Sequence, residues 1–308
     1  MNNNSFILSN GYKIPVIGTG PGSPIPGRTW EWLTYIPFLG RSGNAIIRRI
    51  NNHINKHQWV NSLSESLKIG YRLIDYSSAY GNEQLVKKAI DNSGLKREDV
   101  FIISRASNND QFNSCVRESF MNSLKKIGVD YLDLYMFHWP VTGHFIETYK
   151  EIEKLYKEGY VKSIGVCNCH IHHLQEIMDN CEITPMVNEF EVHPLFTQKT
   201  LIEFCKNNGI HVIAYTPLAR NDDRLQKNLI LRGIAKRYNK TIYQVILRWD
   251  IQNGLTPIPR SSNKKRNASN YDVFDFELSD EDMRAIDSIN INSRLRFDPD
   301  NLDFHSVG

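Results

Sequence analysis

"YLDLYMFHWPVTGHFIETYKEIEKLYKEGYVKSIGVCN", residues 131–168, reads as strand, helix and strand in one sweep. Tyr131–His138 is a short apolar run. Ile152, Leu155 and Tyr156 give the following stretch an apolar side, and Gly159 closes it where a helix end takes a left-handed residue. Ser163–Val166 is a second short apolar run. A helix between two short strands is the unit of a parallel sheet, because the connection must carry the chain back before the next strand can start.

The alternation continues outward in both directions. Arg72–Asp75, Val100–Arg105, Met186–Glu189, His211–Tyr215 and Leu255–Ile258 read as further strands, and Pro15–Gly20 brings the total to eight. Between them lie amphipathic stretches such as Val116, Phe120, Leu124 and Ile127, closed by Gly128. Eight strands, each apolar enough to be covered on both sides, predict an α/β fold of the (β/α)8 TIM barrel type. The doubly wound alternative lacks its Gly-x-Gly-x-x-Gly turn after the first strand. Phe6–Leu8 and Tyr12–Ile14 flank Asn10-Gly11, which predicts an N-terminal β-hairpin ahead of the barrel. The reading is a single domain over 1–308, with an insertion of about 21–57 after the first strand.

Composition is that of a globular chain, with 41% hydrophobic and 23% charged residues in 308. A formal charge of +3 without basic runs argues against a nucleic-acid partner. The opening MNNNSFILSN has no leader-like apolar stretch and no long apolar window follows, so the expectation is a cytoplasmic protein with no membrane partner. Five cysteines in no framework spacing suit reduced thiols. "CNCHIHH" (167–173) invites a metal reading, but Cys167 and Cys169 end a strand with no second ligand pair at zinc spacing, so no metal is expected.

In a barrel of this kind, chemistry collects where strands end. Asp75, Arg105, His138, Asn168, Glu189 and Tyr215 each end or follow a predicted strand. One such residue caps a helix or fills a turn; six polar groups converging on one rim suggest a site.

The segments "GYRLIDYSSAYGNE", "YLDLYMFHWP", "VKSIGVCN", "VNEFEVHP", "AYTPLA" and "PIPRSSNKKRNASN" resemble, in order, the signature segments of the aldo-keto reductase superfamily. The resemblance implies a monomeric barrel enzyme that reduces an aldehyde or ketone, a small-molecule carbonyl substrate, with NADP(H). It implies Asp75, Tyr80 and His138 as the acid, the proton donor and the substrate-orienting histidine. The family's lysine is replaced by Arg105. A fixed cation about 4 Å from a phenol, at an effective dielectric near 20, is worth roughly 4 kcal/mol, or about three pKa units, enough to bring a tyrosine toward working range. Arg105 keeps that charge but spreads it over a planar fork, so an NADP(H)-binding scaffold or sensor with weak turnover is the alternative.

On the cofactor side the resemblance implies Cys167, Asn168 and Glu189 for the carboxamide, where the family has Ser, Asn and Gln. Tyr215 matches the tyrosine that stacks on the nicotinamide. Arg260, Ser261, Arg266 and Asn270 match the clamp for the adenosine 2′-phosphate, a role suited to guanidinium forks. Trp139 is expected to line the substrate pocket. Trp30 and Trp32, in the insertion "PGSPIPGRTWEWLTYIPFLGR", stand in for a pocket tryptophan that the first strand lacks. The insertion reads as a lid, with an apron on the outer helices or a docking surface as alternatives.

Overall fold

Asn10 and Gly11 turn the chain as their residue types dictate. Gly11 adopts φ 83°, and its N–H donates to the Leu8 carbonyl at 2.8 Å. Asn10 Oδ1 accepts from the Tyr12 N–H at 3.0 Å. Strand β1 (Ser5–Ile7) thereby folds back on β2 (Lys13–Pro15), with Phe6 opposite Ile14, as the hairpin signal predicts. The structure, a computed structural model, describes residues 5–20, 56–77 and 83–305. Most of the insertion, with Trp30 and Trp32, and also Tyr80 lie outside the described residues.

After the hairpin, residues 16–20 close a ring. Gly18 N–H donates to the Pro257 carbonyl at 3.0 Å, while Thr19 N–H donates to Leu73 at 2.9 Å. This segment therefore bonds to β3 (Leu73–Asp75) on one side and to β9 (Thr256–Pro257) on the other. From β3 the parallel ladder runs to β4 (Phe101–Ala106) and β5 (Leu134–Phe137). A second ladder runs from β6 (Gly165–Cys167) through β7 (Val187–Glu191) and β8 (His211–Tyr215) to β9. Tyr135 N–H donates to the Ser163 carbonyl at 3.2 Å and joins the two, which completes the (β/α)8 barrel. Gly165 is required where β6 meets β7: a Cβ there would lie 2.6 Å from the Val187 carbonyl oxygen.

The helices form the outer layer. α1 runs through 56–69, followed by α2 (Glu83–Ser93), α3 (Asn108–Phe112), α4 (Val116–Ile127), α5 (Phe145–Lys157), α6 (Ile171–Asn180) and α7 (Lys199–Asn207). The later ones are α8 (Asp223–Gln226), α9 (Leu229–Tyr238), α10 (Ile242–Gln252), α11 (Lys264–Tyr271) and α12 (Asp280–Asp287). In α4 the predicted face is the buried one, and Gly128 ends it at φ 76° with its N–H on the Leu124 carbonyl at 2.8 Å. Phe120 on that face is fully buried, worth about 1.5–3 kcal/mol by removal from water.

One strand is shorter than its apolar run. The predicted Tyr131–His138 contracts to Leu134–Phe137, and ahead of it buried Asp133 meets β4 with both its backbone, whose N–H donates to the Ile102 carbonyl at 3.1 Å, and its side chain. Its Oδ2 accepts from the Ile102 N–H at 2.8 Å and from Arg97 Nη2 at 2.6 Å, a side-chain substitute for ladder bonds. Beyond α12, Ile291 and Ser293 N–H groups donate to the Leu195 carbonyl, and the following tail is led across the barrel mouth.

Candidate active site

Asp75 ends β3, Arg105 is the fifth residue of β4 and Glu189 the third of β7. β4 and β7 are separated by β5 and β6, so side chains from the two can meet only through the barrel interior. They do meet: Arg105 Nη1 donates to Glu189 Oε1 at 2.9 Å and Nη2 to Oε2 at 3.2 Å. Nη2 also donates to Asp75 Oδ1. The guanidinium thus spans the mouth between two carboxylates, and all three side chains are less than a tenth exposed. Burial is the largest single influence and opposes the charge on Arg105, but Glu189 and the neighbouring groups together more than offset it and the group stays protonated. For Glu189 burial is the largest influence and raises its carboxyl above the usual range, with Arg105 pulling the other way.

His138 follows β5 and hangs its backbone N–H on the Ala106 carbonyl at 3.0 Å. Burial, then the charges of Arg105 and Arg296, push it down to about 3, so the imidazole is neutral. Its Nδ1 is buried without a hydrogen-bond partner among the described residues. Asn168 leaves β6 at φ 59°, a conformation asparagine tolerates better than most, and this turns its side chain back over the mouth. Its Nδ2 donates to the His138 carbonyl at 2.9 Å, while its Oδ1 accepts from Tyr215 Oη at 2.6 Å. Cys167 sits beside them fully buried; burial pushes its thiol well above the ordinary range, so it is not a thiolate.

Arg260, Ser261 and Arg266 gather at the loop into α11. Both arginines are exposed, and Arg266 Nε donates to Ser261 Oγ at 3.2 Å. Asn263 caps the helix by accepting from the Arg266 N–H at 3.1 Å. Asn270 is buried one turn further on. An exposed guanidinium bonded to a hydroxyl at a helix start, with exposed Arg260 next to that serine in the chain, fits a phosphate, which is the chemistry expected of this group.

The tail supplies residues that sequence reasoning missed. Buried Glu191, at the end of β7, accepts from Leu295 N–H at 2.7 Å and Arg296 N–H at 2.8 Å, and from His193 Nε2 at 2.9 Å. These bonds to the ionised form hold its carboxyl below the ordinary range against burial, which raises it. Phe297 then packs edge-on to buried Trp139, with ring centroids 6.4 Å apart, and Phe304 joins Trp139 and Val141 in a small apolar cluster. A second acid two positions after Glu189, on the same face of a strand, was the available signal for Glu191.

Comparison with known proteins agrees with this architecture. The profile described as "Aldo/keto reductase family" matches residues 43–291. Glyoxal reductase of Bacillus subtilis (strain 168) is 44% identical over 250 residues, covering 81% of this chain and 90% of its own. MGS-M4, an aldo-keto reductase enzyme from a Medee basin deep-sea metagenome library, superposes with a TM-score of 0.84 at 36% identity, over 97% of this chain and 99% of that one. A Bombyx mori aldo-keto reductase solved in complex with NADP gives a TM-score of 0.81 at 29% identity, over 96% and 95% of the two chains. The chain belongs to the aldo-keto reductase family, a family of oxidoreductases. No described helix is long and apolar enough to cross a membrane.

Proposed function

We propose that this protein reduces an aldehyde or ketone to an alcohol with NADPH, using Tyr80 as the proton donor. The observation that carries the proposal is the buried cation at the barrel mouth, Arg105, held by Asp75 and Glu189 where the family keeps its lysine. Arg260, Ser261, Arg266 and Asn270 would hold the adenosine phosphate; Asn168, Glu189, Cys167 and Tyr215 would surround the nicotinamide. Bound NADPH supplies the hydride that goes to the carbonyl carbon.

The chain's own groups do the rest. The guanidinium charge favours the phenolate form of Tyr80, so that its proton passes to the carbonyl oxygen near neutral pH. Neutral His138 donates a hydrogen bond to that oxygen and fixes the face of the carbonyl. Trp139, roofed by Phe297, excludes water from one side of the substrate, and Trp30 and Trp32 would close the other from the insertion. Glyoxal reductase among the relatives makes small reactive aldehydes the first substrate class to try.

A specific observation favours the scaffold reading as the second choice. Both Glu189 oxygens already engage Arg105, which weakens the charge that Tyr80 feels and competes with the carboxamide. One experiment separates the two: NADPH binding by fluorescence, followed by NADPH oxidation across a panel of small aldehydes and ketones. Binding with oxidation supports the reductase. Binding without oxidation across the panel supports the scaffold, and absence of binding sinks both.

A further inference from the structure

The stretch His170–His173 starts α6 on the same rim and takes no part in the site above. His170 is the residue before the helix, and His172 and His173 lie in its first turn. Asp300 reaches them from the tail. Its Oδ2 is 2.8 Å from His170 Nδ1, and its Oδ1 is 3.3 Å from His172 Nε2. We propose that His170, His172 and Asp300 form a binding site for a zinc-class divalent cation, which pins the C-terminal tail to α6.

The donor set and its spacing carry this. The three ligand atoms lie within 4.8 Å of one another, and this is the described group of histidines and acids that gathers so closely. Zinc–nitrogen and zinc–oxygen bonds of about 2.0–2.1 Å in a tetrahedron require ligand atoms about 3.3 Å apart, so these side chains must draw together to close on an ion. Imidazole and carboxylate suit zinc, and nickel or copper by the same chemistry. The two histidines stand on one rigid helix start, and the carboxylate comes from 130 residues away, so the ion would cross-link distant parts of the chain.

The surroundings are arranged for such a site. His173 Nδ1 accepts from the His170 N–H at 3.2 Å and fixes the start of the helix, while His173 Nε2 stands 3.8 Å from Asp300 Oδ1, outside hydrogen-bond reach. His172 and Asp300 are exposed, so an ion can enter. A cavity of about 450 Å³ beside His170 and His172 leaves room for a water ligand in the fourth position. Lys199 on its wall is neutralised by Asp287 at 2.9 Å. The neighbouring Cys167 and Cys169 are fully buried and are not ligands.

One group competes. Arg294 Nη2 donates to His170 Nε2 at 3.1 Å, which leaves the His170 proton on Nδ1, facing Asp300. A cation on Nδ1 requires that proton to move to Nε2 and the guanidinium to withdraw. Arg294 and the cation are thus alternative partners of one histidine.

The test uses tag-free, chelator-stripped protein and zinc chloride in competition with a chromophoric indicator. One equivalent should bind saturably in the micromolar range. His172→Ala and Asp300→Asn, both at exposed positions, should each weaken it by about tenfold or more, while Arg294→Gln should bind at least as tightly as the parent. Hydrogen exchange at residues 293–305 should slow when zinc is added. No saturable binding to the parent, or binding that both His172→Ala and Asp300→Asn leave unchanged, overturns the proposal.

Discussion

Arg105 and Glu189 form one buried pair, and a double-mutant cycle tests their coupling directly. At 2.9 and 3.2 Å, with an effective dielectric near 20, a unit-charge pair attracts by roughly 5 kcal/mol, much of which offsets the burial of the two ions. Glu189→Gln keeps an acceptor oxygen and leaves the guanidinium with Asp75, so it should cost about 1–2 kcal/mol. Arg105→Lys offers one compact charge to two buried carboxylates that a fork had bridged, and should cost about 3 kcal/mol. In the double variant one cation again faces one carboxylate. Its cost should fall short of the sum by about 2 kcal/mol, the coupling expected of contacting buried charges. Urea denaturation at neutral pH, followed by circular dichroism with unchanged m, measures all four corners. Additivity within about 0.5 kcal/mol would refute the idea that the two residues act as a pair.

Three further outcomes follow from the geometry. His138 is held down to about 3, and His173 and His211 to about 4, burial being the first cause in each case. Their folded values lie below the ordinary 6.5, so the neutral state contributes stability that is full above about pH 6.5 and is lost as pH falls toward 4; a melting temperature that stays flat from pH 7.5 to 5 contradicts this. Glu191→Gln removes a charge that two tail N–H groups share, and should cost about 2–4 kcal/mol and speed proteolysis after residue 290; an unchanged digestion pattern argues against the latch. Arg266→Ala should raise the Kd for NADPH by about tenfold and leave NADH binding nearly unchanged, and equal losses for both would remove Arg266 from the 2′-phosphate.

The barrel was legible because its signals are local: Gly128 and Gly159 end helices, Asn10-Gly11 makes a hairpin, and short apolar runs recur at regular intervals. Strand ends also pointed to Asp75, Arg105, His138 and Glu189. What sequence reading treated as separate departures, Arg105 and Glu189, are partners from positions 84 residues apart, and no local pattern reports such a contact. The shortened β5 was hidden for a related reason, since Asp133 sits inside an apolar run yet bonds sideways to Ile102 and Arg97. The reach of the tail was missed because nothing in "SRLRFDPDNLDFHSVG" is periodic; its backbone is held by one buried acid instead of by an element of its own.

That arrangement has a consequence for synthesis. The strand bearing Glu191 emerges from the ribosome 104 and 105 residues ahead of the amides that complete it. During elongation its carboxylate has His193 for company but lacks those donors, so an interrupted chain can assemble barrel walls around an unfinished charged centre.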